Sequence, residues 1–126
     1  MKRETPIVKA VVDALQIRGA WCWRQNSGLL VIGRGRSKRV VQLAPSGSPD
    51  IAGYLSSGRG FGFEVKTSTG RQTASQKLWQ ERAESRGVRY AVVRSPRDAV
   101  QYWMQWEKSD AEIHNASGRS HERIRS

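Results

Sequence analysis

The chain has a single cysteine, Cys22, among its 126 residues, so no internal disulfide can form and a reducing, cytoplasmic setting is expected. No run approaches the ~20 apolar residues that span a bilayer. Met1-Lys2-Arg3-Glu4 leads into a charge-bearing helix pattern rather than the apolar stretch of a secretory signal, and no membrane partner is expected. Acidic residues are scarce: 11 Asp and Glu stand against 22 Lys and Arg, a net charge of +11. Residues 1–60 alone carry ten basic and three acidic groups. So unbalanced a small chain reads as a polyanion binder, with nucleic acid the default partner. An anionic membrane surface would call for a basic amphipathic helix with a strong apolar face, and none stands out.

What remains is ordinary for one globular domain. The apolar fraction is 37%, and the 12 glycines bring it close to the usual value. A first helix is expected over Thr5 to Arg18, with Ile7, Val11, Ala14 and Leu15 at helical spacing. Trp21-Cys22-Trp23 begins an extended segment, and Asn26-Ser27-Gly28 marks a turn. Trp21 and Trp23 share one side of that strand; packing under the first helix is the expected role, and stacking on a base the alternative. Leu29 to Ile32 and Val40 to Leu43 read as strand, interrupted by Arg34, Arg36, Lys38 and Arg39 in a glycine-containing segment. Four cations in six residues suggest an arm that grips a phosphate backbone.

Ile51 to Leu55 and Phe61 to Thr67 read as strands joined by a hairpin-length connector. Thr73-x-x-Gln76 is a capping-box pattern that opens a helix over Ala74 to Arg86, with Leu78, Trp79 and Ala83 as its apolar stripe. Val88 to Arg94 is a strand, and Pro96 starts a last helix that ends near Trp106 or Glu107, with Ala99, Val100, Trp103 and Trp106 inward. Residues 1–107 form the expected domain, and 108–126, polar and mixed in charge, a flexible tail. The expected fold is a mixed α/β sheet.

The chemistry concentrates in Gly47-Ser-Pro-Asp50 and Glu64-Val-Lys66. Phe61, Phe63 and Val65 point to one face of their strand, and Glu64 and Lys66 share the other, about 6–7 Å apart along it. By itself that pair describes a structural ion pair. Asp50 opens the neighbouring strand, and hairpin pairing brings it into register with Glu64 or Lys66. Two carboxylates beside one amine would repel unless a hard dication joined them, and Mg²⁺ takes one or two carboxylates together with water and phosphate oxygens. The carbonyl of Val65 can add an oxygen. Lys66 can orient or help deprotonate an attacking water or stabilise the charged transition state. In so basic a chain, Asp50, Glu64 and Lys66 describe a metal-dependent phosphodiesterase.

As an ordered set these residues resemble the PD-(D/E)XK nuclease superfamily, and within it the virus-type replication-repair nuclease (VRR-NUC) domain, including short stand-alone phage members. The matching stretches are Glu4, Arg24-Gln-Asn-Ser-Gly28, Gly47-Ser-Pro-Asp50, Glu64-Val-Lys66-Thr67, Gly70-Arg71, Gln76-x-x-Trp79 and Gly87 ahead of Val88 to Val93. They cover roughly residues 4–106. The resemblance implies a restriction-endonuclease-like core with the order α-β-β-β-α-β-α, Mg²⁺ or Mn²⁺ dependence, and endonucleolytic cleavage of DNA, with branched structures such as Holliday junctions as target. It assigns Asp50, Glu64 and Glu4 to the metal, to which the Val65 carbonyl can add, and Lys66 and Gln76 to the catalytic group beside Asp50 and Glu64. Gln76 also has the bland role of capping partner, and Glu4 that of a favourable charge at a helix start. Arg24 and Arg71 join Arg34, Arg36, Lys38 and Arg39 as expected DNA contacts. A chain this small that cuts two strands needs two sites, so a homodimer is expected. Duplex- or flap-cutting repair and restriction enzymes, and a non-catalytic DNA-binding module, are the rival readings.

Overall fold

A computed structural model describes residues 5–25, 29–42 and 45–125. Glu4 and the Asn26-Ser27-Gly28 turn lie outside the described residues, as does Leu43 at the expected end of its strand. The elements in chain order are α1 (Thr5–Ile17), β1 (Trp21–Arg24), β2 (Leu29–Ile32), β3 (Arg39–Gln42), β4 (Ile51–Tyr54), β5 (Gly60–Val65), α2 (Ala74–Ser85), β6 (Arg89–Val93) and α3 (Pro96–Arg125). The described residues form a mixed α/β fold with three helices and a four-stranded sheet in the order β1-β4-β5-β6. β1, β4 and β5 run antiparallel to their neighbours, while β6 returns through α2 to pair parallel with β5.

Strand parity divides the sheet into two faces. On one, Cys22, Ile51, Phe61, Phe63, Val65, Ala91 and Val93 meet Val8, Val11 and Leu15 of α1 and Ala99 and Trp106 of α3. Phe63 is fully buried and stacks on Trp106 with ring centroids 5.1 Å apart. Truncating such a side chain costs roughly 3–5 kcal/mol, so this face anchors the domain. Burial pushes the Cys22 thiol up to about 11, so it stays protonated at neutral pH. The other face is covered by α2 over β6, where Trp79 packs against Tyr90 at 5.7 Å.

Three local expectations change. The basic segment does not merely interrupt one strand: among the described residues β2 and β3 pair only with each other, as a separate antiparallel hairpin in the register Ile32 to Arg39. A short 3-10 turn at Gly35–Ser37 reverses the chain, held by the Ser37 amide and hydroxyl donating to the Arg34 carbonyl. The last helix does not stop near Glu107 but continues to Arg125. Its inward spacing runs from Ala99 through Trp103 and Trp106 to Asp110, a polar residue that hydropathy counts as surface yet is only 3% exposed. Asp110 accepts from the Ser57 hydroxyl at 2.7 Å and pairs with Arg59 at 3.0 Å and Arg89 at 3.1 Å, which clasps α3 to the β4–β5 connector and to β6. Leu78, placed in the α2 stripe, is 47% exposed, because the helix rests on Trp79 and Ala83 instead.

Candidate active site

The register of the β4–β5 hairpin places the chemistry. Ile51 lies opposite Phe63, so one step further Asp50 lies opposite Glu64. The contact is direct: the Asp50 Oδ2 accepts the Val65 amide at 2.8 Å. Asp50 is thus held by the peptide that joins Glu64 to Val65, and Lys66 follows on the same face as Glu64. The Lys66 amide continues the parallel ladder by donating to the Val93 carbonyl at 3.0 Å, which fixes the start of its side chain. Lys66 Nζ lies 3.7 Å from Glu64 Oε1, and both residues are buried. A buried carboxylate and ammonium are costly to desolvate and persist when paired; here Lys66 offsets the Glu64 charge, and the carboxylate also accepts a hydrogen bond from Gln76.

Gln76 completes the group, and its two readings prove compatible. The amide has two ends. Its Oε1 accepts the Thr73 amide at 2.8 Å, and the Thr73 hydroxyl accepts the Gln76 amide at 3.2 Å, which closes the capping box. Its Nε2 meanwhile donates to Glu64 Oε1. One side chain therefore starts α2 and ties that start to the Glu64 carboxylate.

Two glycines allow the loop before Asp50 to come this close. Gly47 adopts φ +86°, and a Cβ there would sit 2.3 Å from the Ser75 carbonyl oxygen in the first turn of α2. At Gly62 a Cβ would lie 2.7 Å from Pro49 Cγ. Pro49 is fully buried on that site. The Gly47-Ser-Pro-Asp50 stretch is consequently wedged between α2 and β5, and its fixed φ at Pro49 delivers Asp50 to Glu64. Beyond Lys66, Arg94 donates to the carbonyls of Thr67 and Gly70 and pins the loop that leads to α2. Gln72 donates to the Tyr90 hydroxyl at 3.2 Å. Burial chiefly, with the charges of Glu64 and Asp50 adding, pushes Tyr90 up to about 12 despite that bond, so the phenol stays neutral. No local spacing marks Arg94 and Tyr90, because their side-chain hydrogen-bond partners Thr67, Gly70 and Gln72 are far from them in sequence.

The expected DNA contacts are distributed more widely. Arg71 is exposed in the loop between Lys66 and α2. Arg24 ends β1 opposite Ile51, and the next amide, of Gln25, donates to the Asp50 carbonyl at 2.7 Å. By parity the Arg24 side chain belongs to the α1 face, where it lines a shallow hollow with Lys9 and Asp13. Arg34, Arg36, Lys38 and Arg39 are all exposed on the separate hairpin. The Trp21–Trp23 expectation is overturned. α1 packs on the opposite face, and the two rings are 69% and 39% exposed.

Comparison of the chain with protein-family models, curated proteins and solved structures gives no match.

Among the described residues no group of three or more His, Cys, Asp or Glu side chains gathers to hold an ion. The donor set of this site nonetheless fits a hard dication. Mg²⁺ needs only one or two carboxylates, supplemented by carbonyl, water or phosphate oxygens, and Asp50, Glu64 and the Val65 carbonyl are all oxygen donors from adjacent strands. Among the described residues no helix is long and apolar enough to cross a membrane.

Proposed function

We propose that this protein is a metal-dependent DNA endonuclease of the VRR-NUC type, built on a restriction-endonuclease-like core and acting on branched DNA such as Holliday junctions. The observation that carries the reading is the convergence of Asp50, Glu64 and Lys66 on one sheet face through the Asp50 carboxylate's bond to the Val65 amide. The order of elements that touch the main sheet, α1-β1-β4-β5-α2-β6-α3, supports the core assignment.

Asp50 and Glu64, with the Val65 carbonyl, would hold Mg²⁺ or Mn²⁺. When bound, such an ion lowers the pKa of a ligated water and offsets charge on the scissile phosphate. The chain's own groups do the rest. Gln76 and Lys66 fix the rotamer of Glu64, so its carboxylate needs no reorganisation when substrate arrives. Lys66 places a positive charge where a phosphate oxygen gains negative charge, and its burial strengthens that attraction. The net charge of +11 raises the local DNA concentration, and the cations of the β2–β3 hairpin contact the backbone. A homodimer would bring a second such site to the opposing strand.

The test is digestion of matched four-way junction, flap and linear DNA with Mg²⁺, Mn²⁺ or EDTA, by the parent protein and by Asp50→Asn. The parent should cut the junction fastest and only with a metal. Asp50→Asn should cut slower by on the order of 10²–10³-fold while DNA binding is retained or tightened. Equal cleavage by parent and variant, or none on any substrate with either metal, would overturn the proposal.

A further inference from the structure

The half of the same sheet face that no described helix covers carries an aromatic group that phosphodiester hydrolysis does not use. Trp21 and Trp23 on β1 and Tyr54 on β4 form a triangle of rings with centroids 5.5, 6.0 and 6.3 Å apart. They are 69%, 39% and 46% exposed. Trp21 pairs with Tyr54, Trp23 with Ala52, and Ala52 with Gly62, so by parity all three rings share the face of Asp50 and Glu64. α2 covers that face over β6, and α1 and α3 lie behind the sheet. Between Tyr54 and Asp50, β4 places only Ala52 on this side, so no bulky side chain of that strand separates the rings from the carboxylates.

We infer that Trp21, Trp23 and Tyr54 form a stacking platform for unpaired bases of the strand whose phosphate enters the Asp50–Glu64 site, an inference that rests on the nuclease reading above. Three observations choose this occupant. The protein carries +11 and attracts a polyanion, whereas a second copy carries the same charge. The exposed ring area is at most roughly 400 Å², about half of what each partner of a stable protein interface contributes. Exposed aromatic rings on the face of the Asp50–Glu64 site take any base, since every base has a π face. The distance also suits. Tyr54 lies four residues from Asp50, about 13 Å along the strand, which corresponds to about four stacked base steps. The substrate class is therefore DNA with an unpaired stretch beside the scissile bond, such as an open junction or a single-stranded arm.

The test uses the parent chain in EDTA, so that binding is read without cleavage, and two probes of equal phosphate number: a twelve-residue oligothymidylate and an abasic oligomer of the same length. The oligothymidylate should bind more tightly and quench tryptophan emission. Trp21→Ala and Tyr54→Ala, checked for folding by circular dichroism, should each weaken oligothymidylate binding by about 5- to 150-fold and leave the abasic oligomer unaffected. Equal affinity for the two probes, or variants that bind the oligothymidylate as the parent does, overturns the platform. So does a dimer, seen by light scattering, that Trp21→Ala converts to monomer, which would assign the rings to a second copy. The nuclease reading is judged separately. If the parent cuts no DNA with either metal but the base preference and its loss in the variants persist, the platform stands as a single-strand-binding surface.

Discussion

Replacing Asp110 by alanine should loosen the far half of α3 and lower the stability of the whole domain. The carboxylate is 3% exposed and receives three contacts, from Ser57, Arg59 and Arg89. Breaking a buried ion pair from one side costs about 3–5 kcal/mol, because the partner charge is left uncompensated. Here the two arginine side chains are 35% and 31% exposed and keep part of their hydration. The lower end of that range, about 3 kcal/mol, is therefore expected. In a chain of this size such a loss lowers Tm by roughly 10 °C. Thermal unfolding followed by far-ultraviolet circular dichroism measures both this and the helix signal lost when residues beyond Glu107 fray. The pH dependence gives a second reading. Desolvation raises the Asp110 carboxyl, but the Ser57 hydroxyl, Arg89 and Arg59 outweigh it and hold it below the usual carboxylate value. A carboxyl depressed in the folded state contributes fully above the unfolded-state value of about 3.9 and loses that contribution as pH falls through the lower folded value. The Tm gap between parent and variant should stay constant from about pH 5 to 8 and close below about pH 4. A variant that melts within about 2 °C of the parent, or a gap that widens on acidification, would refute the reasoning.

Gly62→Ala should displace Pro49 and with it Asp50, costing about 1–3 kcal/mol by overpacking and slowing cleavage, whereas Gly58→Ala, strained by its φ of +92° but with open space around it, should lose stability without slowing cleavage. Gln76→Ala removes both its cap contact and its bond to Glu64, and should lose about 1–2 kcal/mol together with cleavage rate. Thr73→Ala, which removes only the cap hydroxyl, should lose about 1 kcal/mol with little change in rate; equal rates for the two variants would show that the Gln76–Glu64 bond has no part in the chemistry. Purified protein, assayed on DNA and by melting, supplies all four comparisons.

Much of the sheet was legible because its signals are local. The alternation of Phe61, Phe63 and Val65 against Glu64 and Lys66 set the two faces of β5, and the Thr73–Gln76 spacing set the start of α2. The pairing of Asp50 with Glu64 followed from a short connector, since a hairpin leaves little freedom of register. Two of the expectations that changed, the end of α3 and the face of Trp21 and Trp23, depended on partners distant in sequence. Asp110 is inward because Arg59 and Arg89 neutralise it there, and no window around residue 110 contains them. Trp21 and Trp23 lie on the exposed face because β1 pairs with β4 in a register that gives Cys22, not its neighbours, to the core. The amino-acid sequence alone determined most of the elements, the two faces of β5 and the placing of Asp50, Glu64 and Lys66 on one of them. Tertiary structure decided which face each helix covers, how far α3 runs and which side chains meet across strands, because those outcomes are set by competition for burial among segments far apart in the chain.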